Sequence, residues 1–173
     1  MDLILIFTLS ALLFWGVFLF NRLIADRHRV AAAWSDIQVQ LKRRRDLIPK
    51  LVDTVRGYAD YEQALLTAVT ELRARSETAL DAAESGPLEG ELGQGVRRLL
   101  ALAEAYPELK ANTVFLELQQ ELSRTEDQIQ LSRRFYNGAV RIWNTRRETF
   151  PDLLLVRLFG WRPRDYFDTR EDA

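Results

Sequence analysis

The apolar and polar positions of this chain follow helical spacing almost from end to end. Residues 3–20, LILIFTLSALLFWGVFLF, carry no charge. At ~1.5 Å per residue they reach ~27 Å, close to the ~30 Å hydrocarbon thickness of a bilayer. The run predicts a membrane-spanning helix that is retained, because a cleaved signal would have a basic start and a shorter apolar stretch, whereas this chain opens Met1-Asp2. Beyond it, Val30, Trp34, Ile37, Leu41, Ile48, Leu51, Val55 and Tyr58 step by fours and threes once Arg44 is counted as a polar interruption. That spacing is one face of a packed helix. Pro49 lies inside the row and is expected to kink it, since proline removes a backbone donor and crowds the preceding turn.

At 57–60 two signals compete. Gly57 offers a left-handed C-terminal cap and Asp60 an N-cap with Gln63 as its partner, yet the four-three register continues through Leu65, Val69 and Leu72. Helix lengths favour the turn. Residues 84–95, ESGPLEGELGQG, contain four glycines and a proline and read as a loop, followed by a short helix at 96–105 and a turn at PELKAN. A long helix over about 113–149 has no internal proline and an apolar row of Phe115, Leu118, Leu122, Ile129, Tyr136, Ala139 and Trp143. The fold expected is all-α: an anchor at 1–21, an up-and-down four-helix bundle of two long and two shorter helices at 22–150, and an apolar, aromatic tail at 151–173.

Composition narrows the chemistry. Twenty-four Lys plus Arg balance twenty-five Asp plus Glu for a net charge of -1, which lacks the electrostatic footprint of a nucleic-acid binder. Cys is absent and His28 is the single histidine, so thiolate and imidazole sites have almost no material. No phosphate loop, zinc-helix or serine-lysine motif occurs; neither a catalytic residue nor a cofactor or metal is expected. Arg22, Arg27 and Arg29 follow the apolar run and no basic residue precedes it, which places the N-terminus outside and the body in the cytoplasm. In LKRRRD, residues 41–46, Arg43 and Arg45 are expected to be solvated and Arg44 to pair with a bundle carboxylate.

In RRFYNGAVRIWNTRRETFP, residues 133–151, Tyr136, Trp143 and Phe150 recur every seven positions, as do Asn137 and Asn144. The aromatic row reads as a packing seam. The asparagines read as register-fixing contacts to the segment around Asn21, where the chain leaves the membrane. The tail carries Phe159 and Trp161 interleaved with Arg162 and Arg164. It either packs at the membrane-proximal end of the bundle or lies in the headgroup interface, where Trp, Phe and Arg belong.

The stretches AWSDIQVQLKRRRDLIPKLVDTVRGYA (33–59), LLALAEAYPELKAN (99–112) and the 133–151 segment, continued by LFGWRPRDYF (158–167), resemble the LemA family. The resemblance implies a bacterial inner-membrane protein with a single span, a short outside N-terminus and a cytoplasmic helical bundle. It implies no reaction, because the family has no agreed active site or substrate. His28 departs from it, standing where the family pattern prefers Asn, and invites a pH-sensing reading. The function expected is a membrane-anchored, non-enzymatic scaffold or adaptor that contacts the bilayer and an unidentified protein partner or copies of itself. The alternative is a membrane-organising protein acting through self-assembly and an interfacial tail.

Overall fold

The computed structural model describes residues 1–58, 63–102 and 105–169 of the chain. It is all-α among these residues: α1 (Asp2–Arg56), α2 (Gln63–Thr78), α3 (Ala82–Leu102), the single turn α4 (Pro107–Lys110), α5 (Thr113–Glu148) and the short α6 (Asp152–Leu158). The expected long helix at 113–149 thus ends one residue early. Asn112 caps it, its side chain accepting the amide of Phe115 at 3.1 Å.

α1 is one helix of 55 residues, about 80 Å long. Its first part is long and apolar enough to cross a membrane and is almost wholly uncovered by the rest of the protein. Leu19 and Leu23 are the first buried side chains. No linker separates the apolar run from the body, and the helix continues through Pro49. It stops at Arg56, beside a right-handed Gly57 rather than the left-handed cap expected there. The chain therefore breaks between α1 and α2, as the lengths suggested, while Asp60 lies outside the described residues.

α1, α2, α3 and α5 alternate in direction. Arg43 meets Glu121 and Asp26 meets Arg146 across α1 and α5. Arg45 meets Ser76 across α1 and α2, and Ser76 meets Glu89 across α2 and α3. The core falls into two parts. In the distal part all four helices contribute, with Leu51, Val55, Leu66, Val69, Leu92, Leu99 and Phe115 among the buried residues. In the membrane-proximal part α2 contributes no buried residue and α3 only its first, Ala82, and α1 and α5 are covered mainly by Val156 of α6 and Phe167 of the tail. The tail thus fills the space that two short helices leave open. It does not end at the membrane-proximal base as expected: after Gly160 it turns back and climbs along α5.

The largest departure from expectation is α3, which occupies the stretch read as a loop. Asp81 caps it, accepting the amide of Glu84 at 2.9 Å, and the Glu84 carboxylate accepts the amide of Leu80 at 3.2 Å, so the segment starts as a capped helix should. Its glycines serve close approach rather than turning. A Cβ at Gly86 would collide with the backbone of Asp168, and one at Gly95 would stand 2.8 Å from a Val69 methyl. Gly138 in α5, in contrast, has open space around it.

One substitution should therefore act with opposite sign at two helical glycines. Gly138→Ala should stabilise by about 0.5–1 kcal/mol through helix propensity, raising the unfolding midpoint by roughly 1–4 °C. Gly86→Ala should lower it, because the tail backbone must move. Thermal melts by circular dichroism in detergent micelles compare the two.

Candidate functional site

The seven-residue rhythm of α5 is answered by the C-terminal tail. Asn137 accepts the amide of Phe167 at 2.9 Å and donates to its carbonyl at 3.0 Å. Asn144 does the same with Arg164, at 3.0 and 2.9 Å. The Tyr136 hydroxyl donates to the carbonyl of Asp165 at 2.8 Å and the Trp143 indole to that of Arg162 at 3.2 Å. Arg147 donates to the carbonyl of Trp161, and Arg133 to the hydroxyl of Thr169. Each pair spaced by seven on the helix meets tail residues spaced by three. Seven helical residues rise ~10.5 Å, and three residues of chain span that length only when almost fully extended, at ~3.3–3.6 Å each. The heptad is thus the ruler for an extended strand of backbone running antiparallel to α5.

Burial locks this arrangement. Tyr136, Trp143 and Phe167 are buried, and the Trp34 ring lies 5.4 Å from Tyr136 and 6.0 Å from Phe167. Burial raises the Tyr136 phenol above its usual range against the pull of Arg164, so it remains a protonated donor.

The expected bridge from the asparagines to Asn21 is not formed. Asn21 and His28 are exposed, and no hydrogen bond joins either to α5 among the described residues. Register is the reason: Asp26 stands opposite Arg146 and Trp34 beside Tyr136, which sets Asn21 level with the end of α5, below both asparagines. Phe150, expected in the seam, is 72% exposed. The joint at the membrane-proximal base has another composition. Arg146 pairs with Asp26 of α1 and, at 3.0 Å, with Asp152 of α6, and Asp26 also takes Arg29. Beside this triad the Phe20 ring packs 5.1 Å from Phe159 and 5.8 Å from Trp161. Phe159 is half exposed and Arg162 and Arg164 are exposed.

Between the two core regions lies a polar layer. Glu89 of α3, fully buried, receives Arg44 and Arg45 of α1 and Ser76 of α2, and Arg44 also reaches Glu126 of α5. A second Arg44 bond goes to the Glu89 carbonyl at 2.8 Å. Burial opposes the charge on Arg44, but Glu126 and Glu89 outweigh it and hold the guanidinium protonated more firmly than usual. Arg44 pairs as expected; Arg45, expected in solvent, does not stay there, because Glu89 needs a second cation. Glu89 went unread because its surroundings looked like a loop. Among the described residues, no group of acidic or histidine side chains is placed to hold a metal ion.

Asn137→Ala leaves one partly buried amide and one carbonyl of Phe167 without partners, and should cost about 1–3 kcal/mol. The loss should fall on the tail first: trypsin should cut after Arg164 in the variant well before it cuts within the bundle, while Pro163 shields Arg162, and intact wild-type protein should resist the cut at Arg164.

Residues 33–173 match the model of the LemA family. The chain is 32% identical over 152 residues to Protein LemA of Metamycoplasma hominis, an alignment that covers 83% of this chain and 69% of the relative. It is 22% identical over 180 positions to Magnetosome protein MamQ 2 of Paramagnetospirillum magneticum, covering 87% and 65%. It is 20% identical over 177 positions to Magnetosome protein MamQ of Magnetospirillum gryphiswaldense, covering 86% and 64%. The chain spans about two thirds of the length of these curated relatives. The match over residues 33–173, together with the 32% identity to Protein LemA, establishes that this chain belongs to the LemA family.

Proposed function

We propose that this protein is a membrane-anchored, non-enzymatic scaffold or adaptor, held in a bacterial inner membrane by residues 3–20 with its N-terminus outside and its bundle in the cytoplasm. The arginines at 22, 27 and 29 support that orientation. The names of the relatives carry no reaction.

The observation that carries the proposal is the outer face of α5. This helix buries one apolar row and leaves a second in solvent: Leu131, Phe135 and Ile142 are 55%, 56% and 44% exposed. They are spaced by four and seven, so they share a face, and Gly138 between them is open. Such a row on a helix whose other side is already packed is a surface for a partner helix or a second copy. The flanking Arg134 and Arg141 favour an acidic rim on that partner.

A second reading, membrane organisation through self-assembly and an interfacial tail, is favoured by a different observation. Phe150, Leu154, Leu158 and Phe159 are 72%, 58%, 75% and 50% exposed beside the exit of the anchor.

A photo-crosslinking amino acid at Phe135 of the full-length protein in living cells tests the proposal. Phe135 should give a discrete product and exposed Asp36 on α1 none. A product that contains only this chain replaces the adaptor with an assembling scaffold. No discrete product from Phe135 contradicts both.

A further inference from the structure

A cleft of about 290 Å³ opens where the tail leaves α6, lined by Arg27, Arg162 and Arg164 around the rings of Trp143 and Trp161. No carboxylate lines it. Among the described residues none of the three guanidinium groups forms an ion pair: the nearby acids Asp26 and Asp152 are held by Arg29 and Arg146, and Asp81 and Asp165, which line the adjoining cavity with Arg164, do not pair with it. Three cationic residues that line one cavity with no ion-paired carboxylate leave it electropositive, and an anion is the complement it lacks. Guanidinium forks match phosphate oxygens two at a time.

The height of the cleft identifies the source of that anion. Trp161 lies 5.8 Å from both Trp143 and Phe20, and Phe20 is the last residue of the apolar run. One side of the cleft therefore stands at the edge of the hydrocarbon. Arg27 is seven residues further along α1, ~10 Å by helical rise. Its side chain leaves the helix tilted toward the N-terminus, which is toward the bilayer. The headgroup layer is ~5–8 Å thick, half the difference between ~40–45 Å and ~30 Å. The Arg27 guanidinium thus reaches into the layer that holds lipid phosphates, and Arg162 and Arg164 line the same cleft. Next to them Leu154, Leu158 and Phe159 leave apolar surface exposed, which suits acyl chains and has no use for a free ion.

We infer that this cleft binds the phosphodiester headgroup of an anionic phospholipid in the leaflet facing the bundle, with Arg27, Arg162 and Arg164 on the phosphate and α6 against the acyl chains. The inference rests on residues 3–20 being a membrane span.

The test uses full-length protein in nanodiscs of equal phosphatidylcholine and phosphatidylglycerol, with retained lipids counted by native mass spectrometry. Wild-type protein should retain phosphatidylglycerol over phosphatidylcholine by about fivefold or more, the scale of even one surface cation near lipid. Arg27→Gln/Arg162→Gln/Arg164→Gln should lower the ratio severalfold, to what the remaining exposed arginines at the exit, Arg22 and Arg157, hold on their own. The exposed pair Arg27→Gln/Arg162→Gln should lower it on its own, whereas Arg98→Gln/Lys110→Gln/Arg124→Gln, at exposed positions far along the bundle, should leave it unchanged. Equal retention by wild type, or an undiminished ratio in the cleft variants, overturns the assignment. So does binding of inorganic phosphate to lipid-free protein in detergent with the same arginine dependence, which would make the cleft a free-anion site. A chain that does not enter nanodiscs at all overturns the anchor and the cleft together, an outcome distinct from a flat lipid ratio.

Discussion

The unbroken backbone of α1 is the constraint on which the rest of the structure depends. A helix satisfies its own backbone hydrogen bonds, which is what allows it to cross lipid, and here the same helix runs on from Asp2 to Arg56 to form one wall of the bundle. Because the first buried side chains, Leu19 and Leu23, follow the apolar run at once, nothing flexible lies between membrane and body. The ion triad of Asp26, Arg146 and Asp152 then ties the end of α5 and the start of α6 to α1 within two turns of the exit. Every later element inherits its height above the bilayer from that joint, including the tail that climbs from it.

A second fixed point sits in the middle of the bundle. Glu89 draws on α1 and α2 directly and, through Arg44, on α5. A buried ionic cluster of this kind carries a large desolvation penalty and contributes little net stability, but its partners cannot be exchanged without leaving a charge unpaired. Full pairing of the cluster is met in the one register of the four helices that brings Arg44, Arg45, Ser76, Glu89 and Glu126 together. The glycines of α3 make room around it: Gly93 lies against Arg44, while Gly86 and Gly90 lie against Asp168 and Thr169. The polar layer and the end of the tail are thus neighbours across one helix face, and the tail becomes part of the bundle rather than an appendage to it.

What the sequence disclosed follows from which signals are local. α1 and α5 were legible because long four-three rows free of breakers have few other solutions, and Arg44 interrupting such a row announced a buried pair. The partner of Arg44 was hidden, because Glu89 lies in a glycine-rich stretch whose composition resembles a loop. Those glycines answer to the backbone of the tail and to Val69, contacts that exist only after folding. The local clue was the cap, Asp81 followed three residues later by Glu84. The Asn137 and Asn144 pair was visible as a periodicity, but its partner is main chain, which has no side-chain signature. Only the match of seven helical residues to three extended ones could have pointed to it. Asn21 and His28 drew attention through likeness to that motif, and α1 turns both to solvent.

The continuity of α1 across the membrane exit is open to direct measurement, because the chain contains no cysteine and paired spin labels can be placed uniquely. Labels at Val17→Cys and Val39→Cys in full-length protein in nanodiscs bracket the exit at exposed positions. A single helix sets them about 33 Å apart, from 22 residues at ~1.5 Å each, with a narrow distribution of dipolar distances expected. A broad distribution, or a mean many ångströms shorter, would show a hinge between anchor and bundle and contradict the rigid joint.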